Sequence, residues 1–326
     1  MYSSIEWRPS SSIDNLVQRS LIIRKIRRFF FDRNFLEVET PILSRASVTD
    51  IGLSSFQVDF TLAGGINSKL LYLMTSPEFH MKRLLAAGSG SIFQLFKSFR
   101  NEEIGRYHNP EFTMLEWYHL NYDIYDLMHE AYDLLEHIFN FNKSPEFISY
   151  RAVFNKYVGF DPLLSNREAL YKFASECSLS DAISLNDDKN SILQLLFSVL
   201  VEPNLGQSIP IFVYHFPVEQ AGLSRINIKD IRLAERFEIY YKGLELANGF
   251  YELLDHHEQR RRFLRDNEVR MKINLPPQVI DENLLSAMEF GLPDCSGIAL
   301  GVDRLVMLAL KADSLSDVIA FPLDRA

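Results

Sequence analysis

The chain is poor in the features that mark several large protein classes. Its 326 residues include two cysteines, Cys177 and Cys295, far apart and without paired-thiol spacing, which speaks against a disulfide framework or a thiolate zinc site. Free thiols fit a reducing compartment. No apolar run reaches the ~18 residues needed to span a bilayer, and Met1-Tyr2-Ser3-Ser4-Ile5-Glu6-Trp7 lacks the basic-then-apolar pattern of a secretory leader. A cytoplasmic protein is expected. Positive charge is also short: 34 Lys and Arg stand against 43 Asp and Glu, a net charge of −9. That argues against a nucleic-acid binder resting on a broad basic surface and leaves only a local patch open. Repeats are absent, and low complexity is confined to Ser10–Ser12. Apolar residues are plentiful at 47%, enough core for one large or two modest domains.

The most informative stretch runs from Ile92 to Tyr118. An apolar run to Phe99 leads into a polar loop with Gly105 and Pro110, and an alternating segment leads out, a pattern that predicts a hairpin. On the outgoing strand Phe112, Met114, Glu116 and Tyr118 share one face. Arg100 and Glu102 are expected to share a face of the incoming strand, and Arg is suited to bidentate capture of phosphate or carboxylate. Taken alone, the pair reads better as a surface ion pair.

Ile13, Leu16, Ile23 and Phe30 recur at helical spacing, predicting a helix from Ile13 to Arg33 with a capping box of Ser11 and Asp14. Its basic residues, Arg19, Arg24, Lys25, Arg27 and Arg28, read as a solvated face. An alternating strand over 35–41 ends at Pro41. Leu70–Met74 predicts a buried strand, and Ser76-Pro77-Glu78 a helix start. An amphipathic helix follows over 123–141. Residues about 160–210 read as a helical insert, with a capped start at Ser165 and an apolar helix from Ile192 to Val201.

In the stretch 236–252, Lys242-Gly243 predicts a two-residue turn that pairs Tyr241 with Leu244 and Tyr240 with Glu245. Glu238 then lies diagonal to Glu245, and two converging carboxylates suit a Mg²⁺ ion held together with phosphates; the alternative, that one of them points to solvent, stays open. Glu252 lies an odd step from Glu245, and Gly249 offers the bulge that would return it to the same face. Asp255-His256-His257-Glu258 reads as an exposed helix start. Gly297-Ile298-Ala299-Leu300-Gly301-Val302-Asp303-Arg304 reads as a glycine-bearing strand before an apolar helix.

These stretches resemble, in order, motifs 1 (about 13–41), 2 (about 92–119) and 3 (about 297–312) of the class II aminoacyl-tRNA synthetases, and in detail those of the lysyl enzymes. The resemblance implies an α+β fold, an antiparallel sheet flanked by helices, in one catalytic domain over 1–326 that forms a homodimer. It implies that Arg100 and Arg304 are catalytic and hold phosphates of ATP. Asn101, Glu102, His108, Asn109, Leu246 and Gly301 join the ATP site, and Phe112 stacks on adenine opposite Arg304. Ser76, Pro77, Glu78, Glu116, Tyr118, Glu252 and Ala299 line the amino-acid pocket, with Glu78 on the substrate ammonium and Glu252 on the side-chain ammonium. Glu238 and Glu245 would bind Mg²⁺, Glu245 also reaching ATP.

Two features depart from the lysyl pattern. No anticodon-binding barrel precedes the first helix, and Ser76 and Ala299 stand where lysyl enzymes carry Ala and Gly. Both resemble the lysyl-synthetase paralogues that attach (R)-β-lysine to a lysine of translation elongation factor P. The resemblance implies that protein as acceptor, no tRNA anticodon recognition and no membrane. An RNA-charging enzyme and a non-catalytic amino-acid-binding relic remain alternatives; the acidic composition disfavours the first, and retention of Arg100, Glu238, Glu245 and Arg304 the second.

Overall fold

The structure is a computed structural model describing residues 7–61, 68–184 and 187–326. Met1–Glu6, read above for a leader pattern, lies outside the described residues. The chain divides into two compact units, the first comprising Met1–Asn121, Leu134–Phe139 and Leu253–Ala326, the second Tyr122–Asp133 and Asn140–Glu252. The first stretch of unit 1 carries α1 (Ile13–Phe31), β1 (Leu36–Glu37), β2 (Leu43–Ser44), β3 (Gln57–Thr61), β4 (Ser68–Leu73), α2 (Glu78–Ala86), β5 (Ile92–Phe99) and β6 (Glu111–Leu120). Next come α3 (Ile124–Phe139), β7 (Glu146–Ser149), α4 (Tyr150–Val158), α5 (Arg167–Glu176), α6 (Lys189–Leu196), β8 (Ile211–Pro217), β9 (Leu233–Tyr241) and β10 (Leu244–Tyr251). The chain closes with α7 (His256–Lys272), α8 (Glu282–Gly291), β11 (Cys295–Gly301) and α9 (Val302–Leu310).

In unit 1, β6 lies between β5 and β11, antiparallel to both, as the hairpin reading anticipated. Strands alternate their side chains, so Phe93, Leu115 and Trp117 are buried on the face opposite Glu116, where Phe30 of α1 stacks on Phe93 with ring centroids 4.6 Å apart. The buried stripe of α1 is Ile22, Ile26, Phe29 and Phe30, whereas Ile13 is 67% exposed. The predicted box of Ser11 and Asp14 does not form. Ser12 is the N-cap, accepting from the Asn15 amide, because the Ser11 hydroxyl is used to donate to the Asp317 carbonyl at 2.6 Å.

The strand expected over 35–41 is shorter. Only Leu36–Glu37 pairs, parallel to β5, and after the Val38 amide bonds the Phe93 carbonyl the chain leaves the sheet, with the Thr40 hydroxyl turned to Gln94. The strand at Leu70–Met74 is half-buried. It is the centre of a small sheet ordered β2-β4-β3, and along one face burial rises from exposed Leu70 to buried Tyr72 and Met74.

In unit 2, β9 lies between β8 and β10, antiparallel to both, and β7 adds a parallel edge to β8. The helical insert packs on this sheet as expected. Leu170, Ala174, Ile192 and Leu196 share one apolar cluster with Ile211, Val213 and Tyr240. The cap of α5 is Asn166 and not Ser165, whose hydroxyl donates back to the Asp161 carbonyl. The predicted helix Ile192–Val201 is α6 continued by a π-helical turn over Phe197–Val201.

The β9–β10 turn pairs Tyr241 with Leu244 and Tyr240 with Glu245, as read from the sequence. A bulge follows immediately, and its position corrects the expectation placed on Gly249. Ile239 pairs with Ala247 and Glu238 with Asn248, leaving Leu246 as the extra residue. Gly249 instead pairs regularly with Phe237, and it is glycine for space, since a Cβ there would lie 2.4 Å from the buried Phe237 ring. Gly249→Ala should therefore destabilise the fold by about 1–3 kcal/mol, the usual cost of overpacking. Chemical denaturation measures this directly, and an unchanged midpoint would contradict the packing argument.

Candidate active site

Unit 1 gathers most of the predicted residues around β5, β6 and β11. Gln94, Glu116 and Ala299 lie in line across the three strands, as do Phe96, Met114 and Gly301. Glu116 is 2% exposed, and its two oxygens accept from the Ser76 hydroxyl at 2.6 Å and the Tyr118 hydroxyl at 3.4 Å. Pro77 is the N-cap residue of α2. The Ser76 oxygen also accepts from the Glu78 amide at 3.0 Å, and the Glu78 carboxylate pairs with Lys82 at 2.6 Å.

At the other end of the same face, Arg100 directly follows β5. Its guanidinium lies 5.1 Å from the Phe112 ring centroid, and its buried Nε makes no hydrogen bond. The expectation that Arg100 and Glu102 share a strand face is overturned. β5 ends at Phe99, Asn101 and Glu102 form a turn with Glu102 at φ 70, and the carboxylate near Arg100 is that of Glu103, 3.7 Å away. Asn101 is tied by its amide to the Ser54 carbonyl at 2.7 Å. Arg304 donates to the Tyr107 carbonyl and, at 2.7 Å, to His108. Asn109 accepts from the Leu323 amide at 3.1 Å. Gly301 is the N-cap residue of α9.

Unit 2 carries the three predicted acids. Glu238 is 7% exposed and accepts from Arg236 and from the Tyr240 hydroxyl. Glu245 faces Tyr240 across the ladder, so both carboxylates flank that phenol on one face. Burial and the charges of Glu238 and Glu245 hold the Tyr240 hydroxyl well above its ordinary range, as a neutral donor. The bulge at Leu246 shifts the alternation by one. Asn248 and then Glu252 thereby come onto the face of Glu238, as expected for Glu252 but by a different residue than foreseen. Glu252 is 1% exposed, and its carbonyl accepts from Arg225 at 2.6 Å. Asp255 caps α7 through the His257 and Glu258 amides, in agreement with the helix-start reading of that cluster.

The model of the class II tRNA synthetases (D, K and N) matches residues 1–325. The chain belongs to that family. Members of this class are ATP-dependent amino-acid ligases, and an α+β fold built on such a sheet is theirs. The chain is 58% identical, over all 326 residues of both proteins, to the elongation factor P--(R)-beta-lysine ligase of Sodalis glossinidius. It is 55% identical, again over both full lengths, to proteins of the same name from Photorhabdus laumondii and Salmonella paratyphi B.

Sequence reasoning missed several residues that organise this synthetase site. Arg19, read as part of a solvated face, pairs with Asp303 at 2.6 Å and reaches the Thr113 hydroxyl at 3.0 Å, while the Asp303 carboxylate accepts from the Thr113 amide at 2.7 Å. Lys82 is one helical turn from Glu78, a spacing visible in the sequence. Arg236 and Tyr240 precede and follow Glu238 on alternate positions of one strand, a pattern equally visible.

His108 makes the cluster it forms with Arg304 sensitive to pH. Loss of water around its ring and the neighbouring Arg304 charge, with a smaller part from Arg100, lower its pKa below the ordinary 6.5. The neutral ring accepts from Arg304, and protonation would remove that acceptor and add a third cation. The arrangement is therefore complete above pH 6.5 and is lost as pH falls through the lowered folded value. An NMR titration of the His108 ring should give a midpoint below 6.5. KM for ATP should rise over the same range, and a midpoint above that value would contradict the assignment.

Proposed function

We propose that this chain condenses (R)-β-lysine with ATP and transfers the product to a lysine side chain of translation elongation factor P. A substrate carboxylate oxygen attacks the α-phosphorus, and pyrophosphate leaves. The acceptor amine then attacks the acyl carbon, a proton is lost and AMP leaves. The observation that carries the reading is the end-to-end similarity, at 58% and 55% identity, to relatives named for this activity. The chain also keeps phosphate- and ammonium-binding residue types at the positions its resemblance assigns them.

No protein nucleophile is required, so the residues orient and neutralise. Arg100 takes the α-phosphate and substrate carboxylate; its buried, unbonded Nε–H supports the role. Arg304 takes the γ-phosphate and covers adenine opposite Phe112, with Asn101, Glu102, His108, Asn109, Leu246 and Gly301 around the nucleotide. Glu78 receives the substrate ammonium beside Ser76, Pro77, Glu116, Tyr118 and Ala299, and Glu252 receives the side-chain ammonium. The Glu238 and Glu245 carboxylates flank Tyr240 on one face, a donor set of hard oxygens that fits Mg²⁺ shared with phosphates. When bound, that ion neutralises phosphate charge.

The same reading includes a homodimer through α1, where Ile13, Val17 and Leu21 recur every four residues and are 67%, 52% and 42% exposed. It includes a cytoplasmic location. Among the described residues no helix is long and apolar enough to cross a membrane. The net charge of −9 favours a protein acceptor over anticodon-type RNA recognition.

Incubation with ATP, Mg²⁺ and labelled (R)-β-lysine, followed by separate addition of elongation factor P and tRNA, should label the protein alone. Label on tRNA instead would reverse the choice of acceptor. The isomer preference is assigned to the position opposite Glu116. Ala299 pairs directly with Glu116, so its methyl stands on the pocket face. Misplacing a reacting group by about 1 Å costs on the order of a hundredfold. Ala299→Gly should therefore bring the kcat/KM ratio of (R)-β-lysine to α-lysine in pyrophosphate exchange down by about tenfold or more. An unchanged ratio would place the selectivity elsewhere.

A further inference from the structure

Lys82 stands beside the proposed amino-acid pocket, and the reaction does not explain its presence. It is 1% exposed on α2, among Phe79, Met81 and Leu85, which are also buried, and its ammonium pairs with Glu78 at 2.6 Å. Lysine is almost never fully buried unless paired. A buried ion pair is moreover weak as a source of stability, since an apolar residue of similar volume often does as well or better. The cation therefore points to a task other than packing.

Its geometry supplies one. Glu78 lies in the first turn of α2, and Lys82 reaches back one turn to Oε1 of its carboxylate. On the other side, the Glu78 amide is bonded to the Ser76 hydroxyl, which donates to Glu116. Lys82, Glu78, Ser76 and Glu116 are thus linked by consecutive polar contacts that reach the strand row of Ala299.

We infer that Lys82 is a positioning residue. It fixes the Glu78 carboxylate through one oxygen, so that the other is presented in a single orientation to the substrate ammonium. It also offsets one of the two carboxylate charges, Glu78 and Glu116, that converge beside the substrate. The inference rests on the proposed role of Glu78. Preorganisation of this kind lowers the cost of binding the amino acid without touching the nucleotide.

The test is a double-mutant cycle of Lys82→Met and Glu78→Gln, read by amino-acid-dependent pyrophosphate exchange at saturating ATP and by calorimetric binding of (R)-β-lysine. Lys82→Met should raise KM for the amino acid about tenfold or more, with KM for ATP within about twofold of wild type. Added to Glu78→Gln, it should cost far less in amino-acid KM than it does alone, because that effect passes through Glu78. Equal losses for both substrates, an unchanged amino-acid KM, or additive effects would overturn the inference. Should Lys82→Met alone fail to fold, the comparison of Glu78→Gln with the neutral double variant still decides, since neither carboxylate nor ammonium of the pair is then left unpaired. Wild-type exchange with (R)-β-lysine reports on the functional reading separately. If another amino acid is the substrate, the cycle is read on that one, and the two failures stay distinct.

Discussion

The Asp303 carboxylate is the point on which unit 1 depends. It is 3% exposed, accepts from the Thr113 amide, and pairs with Arg19, so one side chain joins α1, β6 and the start of α9. Breaking a buried pair of this kind costs several kcal/mol, because the remaining charge is left without water or partner. The chain neighbours of Thr113 and Asp303 are Phe112 and Arg304. The same contact that closes the core therefore sets the spacing between the ring and the guanidinium assigned to adenine.

Around that anchor the loop between β5 and β6 is held by its own bonds. Arg106 donates to the Asp313 carbonyl, the Leu315 amide to the Arg106 carbonyl, and the Leu323 amide to Asn109. Asn101 is fixed to Ser54 in the same way. A loop restrained at its beginning, middle and end keeps Arg100 and Arg304, with the neutral His108 ring, together despite the like charges of the two guanidinium groups. Fixed dipoles and charges that need no reorganisation are what phosphoryl chemistry uses. The aromatic face of Phe112 under Arg100 adds a further attraction that tolerates this crowding.

In unit 2 the governing constraint is register. One extra residue, Leu246, separates the two regular parts of the β9–β10 ladder. Without it the alternation would carry Asn248 and Glu252 to the face opposite Glu238. With it, three carboxylates lie on one face of one sheet, and Arg236 and Tyr240 hold Glu238 as donors. A neutral phenol between two acids, with Arg236 paired to one of them, tempers their repulsion.

Much of this was legible beforehand. Period-two alternation placed Phe112, Met114, Glu116 and Tyr118 on one face, the Lys242-Gly243 turn set the start of the β9–β10 register, and Asp255 announced the start of α7, because these features follow from chain geometry within a few residues. Family likeness supplied the roles that spacing left open. What the chain could not disclose locally were choices made by distant partners. Ser11 is drawn from capping by the Asp317 carbonyl, Arg19 is paired with Asp303, β1 is cut short where the chain leaves Phe93, and the bulge falls at Leu246, which leaves Gly249 in register against the Phe237 ring. Each is a contact between residues far apart in sequence or a competition for space inside a packed layer, and such outcomes exist only once the tertiary structure has assembled both sides.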